Sequence, residues 1–235
     1  MNTNKLQVFV FAMLFVVGAF TGCVDEDDET TTDNSIKIGF LNPITGPLEP
    51  DAAGFKWGAD QAISDLAKMY PDETFKLIEL DSGCSGDVAG PAAQTLVDSG
   101  VVAVVGAACS GASMSANAVL AAAGIPMISY ASTNPGLSDE AKYPHFYRNV
   151  PSDAIQGPAG AAMMADAGVT NESLAILHMT NDYGSGLADS IKAAWEEDGK
   201  LCSAGMQGYE ETTTNFDAMV ANVTGASDCN AVYLS

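Results

Sequence analysis

Four small hydroxyl residues, Ser110, Ser113, Ser132 and Thr133, follow two strand-like runs and are the residues best placed to do chemistry. A serine nucleophile requires a base within hydrogen-bond reach and a third group to orient that base. The chain holds two histidines, His145 and His178, and each sits in a strand-like apolar run where a structural role is expected. The nucleophile elbow G-x-S-x-G is absent, since the chain reads "AACSG" around Ser110 and "GASMS" around Ser113. "YGSGLAD" (183–189) supplies G-x-G without the third glycine of a dinucleotide fingerprint. There is no C-x-x-C, and the two histidines lack ligand spacing, so no zinc site is indicated. Neither a catalytic constellation nor a cofactor or metal site emerges, and the chain is not read as an enzyme. Binding without catalysis accounts for the same residues. In a parallel α/β sheet the crevice lies at the carboxyl ends of the strands, where loops turn into helix N-termini. Ser110 and Gly111 fall at one such end, Ser132 and Thr133 at the next. Free amides there accept an anionic group such as a carboxylate, aided by the helix dipole. The plainer alternative is that these residues are helix caps and turn formers.

The elements that would carry them alternate along the chain. "IKIGFL", "FKLIEL", "VVAVVGA" and "IPMISY" read as strands, each separated from the next by a stretch with helical spacing. In "GFKWGADQAISDLAKMY", Phe55, Ala59, Ala62, Ile63, Leu66, Met69 and Tyr70 recur on one face. "DVAGPAAQTLVDSG" is expected to be capped by Asp87 and stopped by Gly100. The second half repeats the pattern, with strands at "HFYRNV", "SLAILHM", "LCSAGM" and "NAVYLS". Its helices are expected from about Ser152 to Ala167, from Gly184 to Asp198, and near Phe216 to Val223. Strands this apolar, without alternation, fit a parallel sheet covered by helices on both faces. The chain stops inside the last apolar run and is read as the N-terminal portion of a longer protein.

Composition is that of a folded chain, 47% hydrophobic and 17% charged. The formal net charge of -21 repels a nucleic-acid backbone or an anionic membrane surface. At the N-terminus a single Lys5 precedes "LQVFVFAMLFVVGAF" (6–20), an uncharged run too short for a membrane span and right for a secretory signal. "FTGC" resembles a lipobox ending in a lipidated Cys23, with a retained N-terminal anchor as the other option. Residues 1–22 are thus expected to be a signal peptide and 23–35 an acidic, lipidated tether, placing the body outside the cytoplasm. Export permits disulfides among the remaining cysteines, Cys84, Cys109, Cys202 and Cys229. Three connectivities are open, and buried free thiols are the alternative. The sequential one closes loops worth about 3 to 4 kcal/mol each in the chain-entropy model.

From Ile36 to Ser235 the chain resembles the N-terminal portion of a type I periplasmic solute-binding protein of the branched-chain amino acid (Leu/Ile/Val-binding) family. The resemblance is carried, in order, by "IKIGFLNPITGP", "DSGCSGDVAGPAAQTLVDSGVVAVVGAACSGAS", "GIPMISYASTNPGL", "YRNVPSDAIQGPAGA", "NDYGSGLADSIK" and "NFDAMVANV". It implies an α/β fold of two lobes, each a parallel sheet flanked by helices, closing on a ligand like a clam. Lobe one would span 36–148, a hinge crossing 149–152, and an incomplete lobe two 153–235. It further implies that Cys84 and Cys109 form a disulfide beside the cleft, and Cys202–Cys229 is the second expected pair. By the same resemblance Ser110 receives a ligand carboxylate, the Ala131 carbonyl faces the ammonium, Thr133 contacts the zwitterion beside Ser132, and Tyr183 closes over it from lobe two. The implied function is delivery of amino acids or related small zwitterions or amides to an ABC permease. A ligand-sensing ectodomain of the same fold is the alternative, and an exported α/β enzyme a third.

Overall fold

The computed structural model describes residues 33–197 and 199–235; the expected leader, Cys23 and most of the acidic tether lie outside them. Among the described residues no helix is long and apolar enough to cross a membrane. The apolar runs at Ile36–Asn42 and Leu174–Met179 become strands covered on both faces and need no alternation. The expected double cover fails at Met127–Ser129, Phe146–Arg148 and Ala231–Leu234, where alternate residues such as Ile128, Tyr147 and Leu234 stay exposed. One sheet contains β1 (Ile36–Asn42), β2 (Phe75–Asp81), β3 (Ala103–Val105), β4 (Met127–Ser129) and β5 (Phe146–Arg148). Its order is β2-β1-β3-β4-β5 and every pairing is parallel. The connecting helices are α1 (Ala52–Met69), α2 (Gly86–Asp98) and α3 (Ser110–Ala122). A second parallel sheet, β6 (Leu174–Met179), β7 (Met206–Tyr209) and β8 (Ala231–Leu234), has the order β7-β6-β8. It is accompanied by α4 (Asp153–Asp166), α5 (Asp182–Trp195) and α6 (Asp217–Gly225). The fold is therefore α/β in two lobes, with residues 149–152 running from β5 into α4.

Strand order explains where a crevice opens. From β1 the chain moves outward to β2 and then back across to β3, so right-handed crossovers place α1 on one face and α2 and α3 on the other. The α2/α3 face is the core of lobe one: Ala89, Ala93 and Leu96 meet Ala112, Ala116 and Leu120 over Leu41, Val104 and Met127, all buried. Small alanines let the two helices lie close together. Between β1 and β3 the direction of travel reverses, and at their carboxyl ends the flanking loops part; a crevice at such a point is the general ligand position of open α/β sheets.

Several local expectations need correction. The cap of α2 is Ser85, whose hydroxyl accepts from the Asp87 amide, because the helix starts at Gly86 and Asp87 is already inside its first turn. Gly100 does end that helix, with φ of 73° that suits glycine. "LCSAGM" is a turn rather than a strand: Cys202 is tied to Cys229, the Cys202 carbonyl accepts from the Gly205 amide, and β7 begins only at Met206. Helix α5 starts at Asp182, capped by Asn181, and ends at Trp195. His145 lies just before β5 with φ of 59°, while His178 sits in β6 with its Nδ1 2.8 Å from the Met179 carbonyl. Both disulfides, Cys84–Cys109 and Cys202–Cys229, are formed, with Cα separations of 5.1 and 5.2 Å.

Gly157 decides how closely α4 and α5 approach. A Cβ there would lie 2.6 Å from the Ser190 backbone carbonyl carbon, so an added methyl must push the helices apart. Ser190 Oγ also donates to the Asp153 carbonyl at 2.7 Å, which couples this contact to the start of α4. Gly157→Ala is expected to destabilise the protein by about 1 to 3 kcal/mol, the usual cost of overpacking. Urea unfolding of the variant, giving a lower midpoint at unchanged slope, is the check.

Candidate functional site

The loop after β3 is buried, and its carbonyls need donors. The hydroxyls of Ser113, Ser129 and Ser132 converge on them. Ser129 Oγ donates to the Ala107 carbonyl at 2.6 Å, Ser113 Oγ to the same oxygen at 3.1 Å, and Ser132 Oγ to the Ala108 carbonyl at 3.0 Å. Ser113 and Ser132 also meet each other at 2.8 Å. Two of the hydroxyls singled out in the sequence are thus turned into the protein, and Ser132 shapes the loop rather than lining the cleft with its side chain. The Ser132 amide donates to Ser129 Oγ at 2.9 Å, which fixes the peptide that carries the Ala131 carbonyl, the expected ammonium contact.

Ser110 and Thr133 are arranged differently. Ser110 opens α3, whose N-cap is Cys109 and which has no capping side chain and no acidic residue in its first turn. Helices α2, α4 and α5 are capped by Ser85, Ser152 and Asn181, and each has an aspartate in its first turn. Helix α3 therefore presents first-turn amides that an α-helix leaves without internal acceptors. Ser110 Oγ accepts from the Asn134 amide at 3.3 Å, so its own proton remains for an acceptor. Thr133 has the opposite polarity. Its Oγ1 donates to Asp153 Oδ2 at 2.9 Å, leaving the oxygen lone pairs for a donor.

Asp153 is the residue that sequence reasoning missed. It is fully buried, its amide donates to the Thr133 carbonyl at 2.8 Å, and its Oδ1 has no hydrogen-bond partner among the described residues. Burial raises its carboxyl above the ordinary aspartate range, against the opposing pull of the Thr133 hydrogen bond and the Arg148 charge. Tyr183, half-buried on α5, has its phenol pushed upward by burial first and then by the charge of Asp153, which places the two in one electrostatic neighbourhood. In the sequence Asp153 reads as an ordinary first-turn helix aspartate; no local signal distinguishes it. Arg148, at the end of β5, fastens the intervening turn by donating to the Asn134 carbonyl at 2.9 Å and the Ser132 carbonyl at 3.3 Å.

A cavity of about 480 Å³ also lies where the lobes meet, lined by residues 134–136 and 180–182 among others. None of Ser110, Ala131, Ser132, Thr133 and Tyr183 lines it. Volume measures space rather than recognition: the cavity's lining holds no buried unpartnered side-chain atom, whereas the Thr133–Asp153 pair does. The latter is the better candidate.

Comparison with known proteins gives the same frame. The chain is 27% identical over 195 residues to the leucine-, isoleucine-, valine-, threonine-, and alanine-binding protein of Pseudomonas aeruginosa, covering 82% of this chain and 52% of that protein. It is 30% identical over 159 residues to the metabotropic glutamate receptor-like protein E of Dictyostelium discoideum, covering 67% of this chain and 19% of that protein. The structure of the branched-chain amino acid transporter substrate binding protein LivJ from Streptococcus pneumoniae, in complex with isoleucine, superimposes with a TM-score of 0.71 at 24% identity. That match covers 85% of this chain and 56% of LivJ. The chain spans about half the length of the curated bacterial binding proteins it matches. The family model described as "Periplasmic binding protein" matches residues 35–235, and the chain belongs to that family, one of binding proteins rather than enzymes.

Proposed function

We propose that the protein is an extracytoplasmic solute-binding lipoprotein that takes up a small zwitterionic amino acid and delivers it to an ABC permease. The observation that carries this reading is the opposed polarity of Ser110 and Thr133. One hydroxyl keeps a proton beside uncapped helix amides, and the other keeps lone pairs beside a buried carboxylate. A molecule with a carboxylate at one end and an ammonium at the other satisfies both, and neither end requires a cationic side chain from so acidic a chain. The Ala131 carbonyl would add a further acceptor for the ammonium and Tyr183 would close over the ligand. Branched-chain amino acids are the first choice because the relatives matched are named for them. Lipid on Cys23 would hold the body, lobe one at 36–148 and lobe two from 153, near its transporter.

Loss of a hydrogen bond to a charged group costs about 1.5 to 3 kcal/mol, so Ser110→Ala is expected to weaken amino-acid binding by roughly tenfold to more than a hundredfold. Titration calorimetry on the full-length protein tests it. Unchanged affinity would remove Ser110 from the site. Mass spectrometry of the native protein tests the tether, since a retained Met1 or an unmodified Cys23 contradicts it. The likeness to a receptor-like protein supports a second reading, a ligand-sensing ectodomain with the same cleft. Co-purification of a permease with its ATPase subunits favours the importer; a membrane span encoded downstream favours the sensor.

A further inference from the structure

Besides the Thr133–Asp153 pair, the lobes meet at a second, polar contact in which two glycines set how closely they approach. On lobe one the contact consists of Gly111, at the start of α3, and Asn134 with Pro135, in the turn after β4. On lobe two it consists of Asp182 and Gly186, both on α5. Asn134 Nδ2 donates to the Asp182 carbonyl. Gly111 lies against the Asp182 carboxylate, closely enough that a Cβ would collide with it. Gly186 lies against the Asn134 amide, and a Cβ there would also stand 3.2 Å from Pro135 Cδ.

The lobe-one side of this contact is held rigidly. Asn134 Oδ1 accepts from the Gly136 amide at 2.7 Å, which directs its NH₂ group across the cleft. Arg148 donates to the Asn134 carbonyl at 2.9 Å and also to Ser138 Oγ, so the turn is anchored at both ends. The same turn carries Thr133. Small, polar contacts between lobes permit relative motion, unlike large apolar ones. The candidate site takes residues from both sides, Ser110 and Thr133 from one and Tyr183 from the other, so its geometry depends on how far the lobes approach.

We infer that Gly111, Asn134 and Gly186 are lobe-docking residues: they define the closed approach of the two lobes and scale the affinity for every ligand of the cleft by a common factor. This rests on the binding reading proposed above. A side chain at Gly186 acts as a prop, because it meets an amide pinned by two hydrogen bonds and a proline ring. The helix itself is not harmed, since alanine is a better helix former than glycine. The prop therefore lowers affinity while α5 holds or gains stability. A ligand that binds the closed form better than the open one is weakened by whatever fraction of closed molecules the prop removes.

The test uses the full-length protein with one spin label on each lobe, at exposed positions away from the cleft, together with calorimetry against L-leucine, L-isoleucine and L-valine. Saturating leucine is expected to shorten the interlobe distance in the wild type and to shorten it less in Gly186→Ala and least in Gly186→Val. Affinity for all three amino acids should fall by the same factor in each variant, about tenfold or more for valine. Asn134→Ala should fall between wild type and Gly186→Val. Wild-type closure and affinity in Gly186→Val, or a loss that differs among the three ligands, overturns the inference. If the wild type binds none of the amino acids, the binding reading fails by itself, and the label distances still decide. A distribution in Gly186→Val shifted to longer distances supports docking at these residues, and an identical distribution overturns it.

Discussion

Asp153→Asn is expected to weaken amino-acid binding by roughly 10- to 150-fold and to leave the affinity for a des-amino analogue, a carboxylate with no ammonium, nearly unchanged. The magnitude follows from losing a hydrogen bond to a charged group, about 1.5 to 3 kcal/mol. Asparagine preserves the shape and can still accept from Thr133, so the change removes charge rather than packing. The pH dependence gives a second signature. Burial raises the Asp153 carboxyl above its ordinary range, so it takes up a proton earlier than an exposed aspartate as the solution is acidified. Ammonium binding requires the ionised form, and affinity should fall as pH drops through that raised value. The stability effect has the opposite sign. A raised folded pKa means the folded chain holds this proton more tightly than the unfolded chain, so its contribution to stability is fully present below the unfolded pKa and is lost as pH rises through the folded one. At neutral pH, then, Asp153→Asn should cost affinity without costing ligand-free stability. Calorimetry and thermal unfolding on the same samples separate the two; a variant that loses both equally would make Asp153 a structural residue only.

Removing the Cys84–Cys109 disulfide should cost about 2 to 5 kcal/mol of stability and, in addition, a large part of the ligand affinity. Its two ends explain why. Cys84 has φ of 52°, in the left-handed region that a residue with a Cβ enters only at a cost, and the turn around it is held by Asp81 accepting from the Gly83 amide at 2.8 Å. Cys109 is the N-cap of α3 and the residue directly before Ser110. The bridge thus ties the loop after β2 to the helix start that would receive the ligand carboxylate. The Cys202–Cys229 bridge joins the turn before β7 to the loop before β8, in lobe two. Its removal should cost stability of the same order and leave affinity nearly intact. Paired Cys→Ser variants, measured by urea unfolding and by ligand titration, give the comparison. Equal affinity losses for the two bridges would contradict the assignment of Cys109 to the site.

What the sequence made legible was the part governed by local pattern. Apolar runs identified β1 to β6, β8 and the parallel class of both sheets, and the even number of cysteines after Cys23 made pairing expected. Apart from element ends such as the α2 cap, which falls on Ser85, the errors came where a neighbour distant in sequence overrode local pattern. Cys202 looks like part of a strand in "LCSAGM" until its bond to Cys229 and the turn at Gly205 push the strand on to Met206. Ser113 and Ser132 share a residue type with Ser110 but serve buried carbonyls, a difference fixed by the conformation of the loop after β3. Asp153 and Asn134 gain their roles from partners 20 and 48 positions away, across the line between the lobes. Separations of that kind leave no mark in composition or spacing.

The central claim is that the cleft holds a zwitterion, and a calorimetric titration of the full-length protein against amino acids, amides, sugars and aromatic acids tests it most directly. The account predicts binding of one or more small amino acids, weakened by Ser110→Ala and Asp153→Asn at opposite ends of the ligand. Binding of sugars or uncharged aromatics with no response to any amino acid would contradict it.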